Sequence, residues 1–94
     1  MRVYSIYTQL LDELLKYSKK NDTASVKFKD LAALQDLEEK INNLYSRNYY
    51  SFAEYRILID LCAQTKTTMR EVIRVNNEVK ALEKTIKKSR LKLA

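Results

Sequence analysis

The sequence predicts an all-α fold, a four-helix and mostly antiparallel bundle with a long basic C-terminal helix, and three observations carry that reading. The 94 residues include no glycine and no proline, although ordinary usage of about 7% and 5% would supply several of each. Glycine provides the positive φ of tight hairpin turns and proline ends helices, so a sheet protein, which turns often, needs such punctuation repeatedly. Apolar residues recur at helical steps of three and four along most of the chain. Ser51-Phe52-Ala53-Glu54 and Thr68-Met69-Arg70-Glu71 both have the Ser/Thr-x-x-Glu form of a capping box, in which hydroxyl and carboxylate satisfy each other's backbone amides at a helix start.

The chain reads as one domain over residues 1–94. The first helix is expected at about 3–19, where Val3, Tyr7, Leu10, Leu14 and Tyr17 make a stripe that Leu11 and Leu15 widen. A loop follows over about 20–29, because Asn21 and Asp22 compete for backbone hydrogen bonds and favour turns; Val26 and Phe28 are expected to fold back onto the core. The second helix, about 30–47, has Asp30 as its expected N-cap and Leu31, Leu34, Leu37, Ile41 and Leu44 as its inner face. Asn42, Asn43, Ser46 and Asn48 weaken helical preference and set a turn near 46–50.

The third helix, about 52–64, carries Phe52, Tyr55, Ile59 and Cys62 on one face. Thr65-Lys66-Thr67 reads as a link, and Thr68 opens a fourth helix over about 68–92. Its pattern is heptad-like, with Val72, Val79, Ile86 and Leu93 at one seam position and Val75, Leu82 and Ser89 at the other. Its length exceeds that of its neighbour, so its C-terminal turns overhang. Pairing of this helix with a parallel copy of itself sets Glu78 against Glu83 of the other strand and leaves Thr85 facing Arg90, a small net cost that disfavours a parallel coiled-coil dimer. Other homo-oligomers stay open.

Charge divides the chain. Residues 1–65 hold nine basic and nine acidic residues, whereas residues 66–94 hold nine basic and three acidic, so the whole net charge of +6 belongs to the last third. Such asymmetry attracts phosphate backbones or acidic protein faces. No apolar run approaches the roughly 20 residues that a bilayer demands. Tyr7, Gln9, Asp12 and Glu13 interrupt what would be the apolar core of a leader after Met1-Arg2. The expectation is a cytoplasmic protein without membrane contact.

The residue inventory argues against catalysis. There is no histidine, hence neither the commonest general base nor the commonest metal ligand, and a lone Cys62 cannot build a Cys/His zinc site. Cys62 lies among Leu58, Ile59 and Leu61, as a small buried hydrophobe would. Asp12 and Glu13, like Asp36 and Glu39, belong to polar faces without a second cluster at ligand spacing. Lys84, Lys87 and Lys88 sit in a run of like charges, where nothing lowers a lysine pKa enough for nucleophilic work. Without glycine there is no phosphate-cradling loop. The expectation is a protein that is not an enzyme, with no cofactor and no metal.

Two features remain as candidate sites. Lys80, Lys84, Lys87, Lys88, Arg90 and Lys92 form a cationic helix end opposed only by Glu83, suited to DNA phosphate or an acidic partner; the plainer reading is a solvated end whose cations complement the helix dipole. Tyr45, Tyr49, Tyr50, Phe52 and Tyr55 crowd eleven residues around a turn. Tyrosine offers large rigid contact area with a polar tip, which suits interface anchors as well as the closing of a bundle end.

The pair Tyr49-Tyr50 opening a helix, the following Tyr55 and Leu58, and the ending Ser89-Arg90-Leu91-Lys92-Leu93-Ala94 resemble the helical domain of GINS subunits, assembly factors of the replicative helicase. The resemblance covers about residues 45–94 and implies a replication-associated interaction module; the small β-domain of that family has no counterpart here, and no functional residue is carried over. Ser51-Phe52-Ala53-Glu54-Tyr55 with Ile57 and Leu58 also looks like the start of a winged-helix regulator, with Arg70, Arg74 and Asn77 as reading residues. The expected function is therefore a non-catalytic accessory subunit of a DNA-handling, replication-type complex, docked on a larger protein and able to touch DNA through its basic end. The alternatives are a direct DNA-binding regulator of degenerate helix-turn-helix type and a self-assembling helical scaffold.

Overall fold

Among the described residues three helices, not four, account for the apolar periods. The computed structural model describes residues 5–93, with side chains described as far as Lys88. The elements are α1 (Ile6–Asp22), α2 (Phe28–Ser46) and α3 (Phe52–Leu93), the last 42 residues long. Val3, placed in the first stripe by its spacing, lies outside the described residues.

The expected link at Thr65-Lys66-Thr67 is helical, so the predicted helices 52–64 and 68–92 are one element and the four-helix bundle is corrected to three. The physical reason is that threonine has two ways to satisfy its hydroxyl. It can cap a new helix, or it can donate back to a carbonyl one turn earlier. Here Thr65 donates to the Leu61 carbonyl at 2.7 Å and Thr67 to that of Ala63 at 3.0 Å. Thr65 is itself buried, on the line Leu58, Cys62, Thr65, Met69, Ile73 that α3 turns toward the core. Covering Leu58 and Met69 contributes roughly 1.5–3 kcal/mol apiece. Threonine in a helix costs at most about 0.7 kcal/mol per residue relative to alanine, so continuity wins.

The other helix ends follow from local chemistry. The Ser5 hydroxyl oxygen accepts from the Thr8 amide at 3.2 Å and opens α1. Asp30 is not the N-cap of α2, as expected, but its third residue. Lys27 occupies the cap, and the Asp30 carboxylate accepts the Lys27 amide at 2.9 Å and the Lys20 ammonium at 2.9 Å. The loop is correspondingly shorter than 20–29, since residues 20–22 close α1 and residues 28–29 open α2. At Ser51 the expected capping box is present, with the Glu54 carboxylate accepting the Ser51 amide at 3.1 Å and the Ser51 oxygen accepting the Glu54 amide at 3.2 Å.

α1 and α2 both terminate in Schellman motifs. The Ala24 amide donates to Asn21 and the Ser25 amide to Lys20; the Asn48 amide donates to Tyr45 and the Tyr49 amide to Leu44. The residue at the turning point must be left-handed, a place usually filled by glycine. With none in the chain, Ala24 (φ 55°) and Asn48 (φ 63°) fill it. Asparagine tolerates that region; alanine is strained there.

Leu10 and Leu14 of α1, Leu34, Leu37 and Ile41 of α2, and Leu58, Cys62, Met69 and Ile73 of α3 form the core, with Val26 folding in from the loop as expected. Both short helices pack chiefly on α3 and less on each other. α2 runs antiparallel to α3, with Leu34 beside Cys62 and Asn42 beside Tyr55. The structure measures 66 × 27 × 17 Å. At 1.5 Å per residue α3 alone spans about 63 Å, against about 26 Å for α1 and 28 Å for α2. The expected overhang is therefore present, as about 30 Å of α3 beyond the bundle.

Candidate docking surface

The bundle ends where the inner face of α3 changes character. At about 100° per residue, the line Leu58, Cys62, Thr65, Met69, Ile73 continues up the same side of the helix as Asn76, Lys80, Lys84 and Lys87. No apolar side chain remains on that line for α1 or α2 to cover. Asn76 marks the boundary, its amide donating to the Ala24 carbonyl at 3.1 Å and pinning the α1–α2 loop to the spine.

A second apolar stripe begins at the same level, rotated by roughly a third of a turn. It comprises Val75, Val79, Leu82 and Ile86, which are 42%, 46%, 63% and 53% exposed. The heptad spacing seen in the sequence is real along these positions, but Val72, assigned to the same seam, is half-buried, and its neighbour Ile73 is the residue that enters the core. Ser89 and Leu93 of the seam have side chains outside the described residues. An isolated apolar face of this length is unusual on a small chain, because scattered apolar residues are normal and a contiguous row marks a contact surface.

Lys80, Lys84, Lys87 and Lys88 are exposed, and none of them forms an ion pair among the described residues. Arg90 and Lys92 fall within α3, but their side chains lie outside the described residues. Arg74, in contrast, is held by its own helix. It donates to Glu78 at 2.6 Å and to both oxygens of Glu71. Those bonds lower the Glu71 pKa and raise that of Arg74. Beyond Arg74 the next unpaired cation of α3 is Lys80. As for a helix-turn-helix over 52–93, the two helices it requires are a single helix here, and no strand occurs among the described residues.

The aromatic turn lies near the other end of the molecule. Tyr45 and Tyr55 stack with centroids 4.2 Å apart and planes within 13°, and Tyr55 donates to Asn42 Oδ1 at 2.5 Å. Tyr50, expected among the interface anchors, is buried beneath them with its hydroxyl donating to the Ile41 carbonyl, and burial raises its pKa. Tyr50 thus serves the closing of this bundle end rather than presenting a ring outward. Tyr49 and Phe52 are the exposed members, at 53% and 59%.

Sequence reasoning missed one group. A groove of about 660 Å³ lies between the α1–α2 loop and α3, lined by Val26, Phe28, Ile73 and Val79 with Lys27 and Lys80 on its rim. Phe28, expected to fold onto the core, is 67% exposed at its edge. Lys27-Phe28-Lys29, an aromatic between two cations, was the available signal.

Cys62 is buried, its thiol directed toward the Leu34 carbonyl and the Glu38 carboxylate at 3.9 and 4.0 Å, and burial, with Glu38 adding to it, pushes its pKa up to about 11. A thiol that stays protonated is a poor nucleophile. Among the described residues no group of three or more histidine, cysteine, aspartate or glutamate side chains is placed to hold a metal, and no helix is long and apolar enough to cross a membrane. No protein-family model, curated protein or solved structure matches this chain.

Proposed function

We propose that this chain is a non-catalytic helical accessory subunit that docks on a larger protein partner through the projecting half of α3. The observation carrying the proposal is the exposed stripe Val75, Val79, Leu82 and Ile86, none of which belongs to the core. An overhanging helix gains nothing from the bundle, and helices of a few turns are marginal in water by themselves. A partner helix laid along the stripe would supply the missing burial. The complex it serves is of DNA-handling, replication type, a reading supported by the resemblance of residues 45–94 to GINS helical domains and by the unpaired lysines that a nearby DNA backbone would attract. Its one cysteine, buried and unpaired, suits the reducing cytoplasm.

The test is co-purification from the native host with the wild-type chain and with Leu82→Glu and Ile86→Glu variants. Both positions are exposed, so the variants are expected to melt like wild type while losing a defined partner. Retention of the same partner by both would end the proposal. Direct DNA contact is a second reading, favoured by the free Lys84, Lys87 and Lys88. It predicts duplex affinity that falls steeply with salt and a shallower slope after their replacement by glutamine.

A further inference from the structure

We infer that the groove between the α1–α2 loop and α3 is a seat for an acidic amphipathic helix of a partner protein. This deepens the docking reading above and rests on it, by naming the chemistry of the occupant. The floor is apolar and partly open: Val26 and Ile73 are buried at the bottom, while Phe28 and Val79 are 67% and 46% exposed along the sides. A second, smaller depression of about 310 Å³ continues on the other side of Phe28, against Leu31, Ile73 and Arg70. Phe28 therefore stands as a ridge between two hollows, the shape that apolar side chains spaced three and four apart on a helix can straddle.

The rim selects the charge of the occupant. Lys27, Lys29, Lys80, Lys84 and Lys87 are exposed around or beyond the groove and make no ion pair among the described residues. Glu83 is the one acid among the described lining residues. The acids flanking the next stretch of α3, Glu71 and Glu78, are already committed to Arg74. A partner helix with an apolar face and acidic flanks would meet Phe28, Val79 and Ile86 with the first and Lys80 and Lys87 with the second. From Ile73 to Glu83 the groove is about 15 Å long, roughly three turns of partner helix, with Ile86 and Lys87 one turn beyond it. A second copy of this chain is a poor occupant, since its own free helix end is cationic and would set lysine against lysine.

Fluorescence anisotropy with labelled peptides of roughly five turns separates the alternatives. The probes are an acidic amphipathic helix of Leu, Ala and Glu, its counterpart with every Glu replaced by Lys, a scrambled acidic peptide of identical composition, and a DNA duplex. Saturable binding of the first is expected, weakened at least about tenfold by Lys80→Glu with Lys87→Glu and, separately, by Phe28→Ser, with little binding of the lysine peptide. Equal binding of the scrambled peptide, insensitivity to Phe28→Ser, or occupation of the groove by DNA in place of the peptide would overturn the inference. Leu82 lies outside the groove, so a host partner lost on Leu82→Glu but kept on Phe28→Ser would defeat this inference and leave the docking proposal standing. A partner kept by Leu82→Glu, Ile86→Glu and Phe28→Ser alike would defeat the two together.

Discussion

Replacing Ala24 by glycine is expected to stabilise this protein, although the same substitution in a helix normally does harm. Ala24 sits at the turning point of the Schellman motif that ends α1, at φ 55°. A side chain in the left-handed region costs roughly 1–2 kcal/mol that glycine does not incur. Glycine in turn gives the unfolded chain more freedom, worth about 0.4–1 kcal/mol against it. The difference leaves a gain of about 0.5–1 kcal/mol, which in a domain of this size corresponds to about 3–6 °C in Tm. Thermal and urea denaturation followed by circular dichroism would measure it. The control is Ala63→Gly, at an exposed site inside α3, where glycine should cost about 1 kcal/mol. Loss of stability in Ala24→Gly equal to that in Ala63→Gly would refute the left-handed cap and the account of how a chain without glycine turns.

Further predictions concern continuity, charge and pH. Thr67→Pro should lower stability by about 3 kcal/mol or more, because it breaks α3 where the core depends on it, whereas Lys84→Pro should leave the cooperative melt within about 0.5 kcal/mol while lowering the helical signal. Asp30→Asn should cost about 1–2 kcal/mol in chemical denaturation, since it weakens both the Lys20 pair and the acceptor for the Lys27 amide. The same two bonds hold the Asp30 carboxyl below its usual range, so their stabilising effect is complete at neutral pH and fades as acid protonates the group in the folded state. For Cys62 the sign is opposite. The folded thiol titrates at about 11 and the unfolded one near 9.0, so the unfolded chain loses its proton first and stability should decline as pH rises between them. Denaturant midpoints of wild type minus Cys62→Ala across that window isolate the effect from the tyrosines.

Helix content and most of the core were legible in the sequence because both rest on spacing alone. The period alone marks Leu10, Leu14, Leu34, Leu37 and Ile41 as core, and the overhang follows from length. The errors share a cause: short polar residues whose side chains have two local partners to choose from. Thr65 and Thr68 read as punctuation because hydroxyls cap helices, yet the uninterrupted spacing of Leu58, Cys62, Thr65, Met69 and Ile73 carried the contrary message. Asp30 likewise offers its carboxylate to a cap from either end of the first turn. The groove was illegible for another reason. It is made by residues 26–28 meeting residues 73–80, and no local pattern reports a juxtaposition held by the burial of Val26 and a hydrogen bond from Asn76 to Ala24.

The single helix that spans the molecule also acts as a gauge. Tyr49 and Phe52 sit near its first turn and the free lysines near its last, so anything gripping both ends is held at a set separation and a set bearing. One residue inserted after Ile73 would advance the tip by only about 1.5 Å but swing it through about 100°, whereas seven would restore the bearing almost fully and lengthen the reach by about 10 Å. Variation of α3 in this stretch is thus constrained in angle far more tightly than in length.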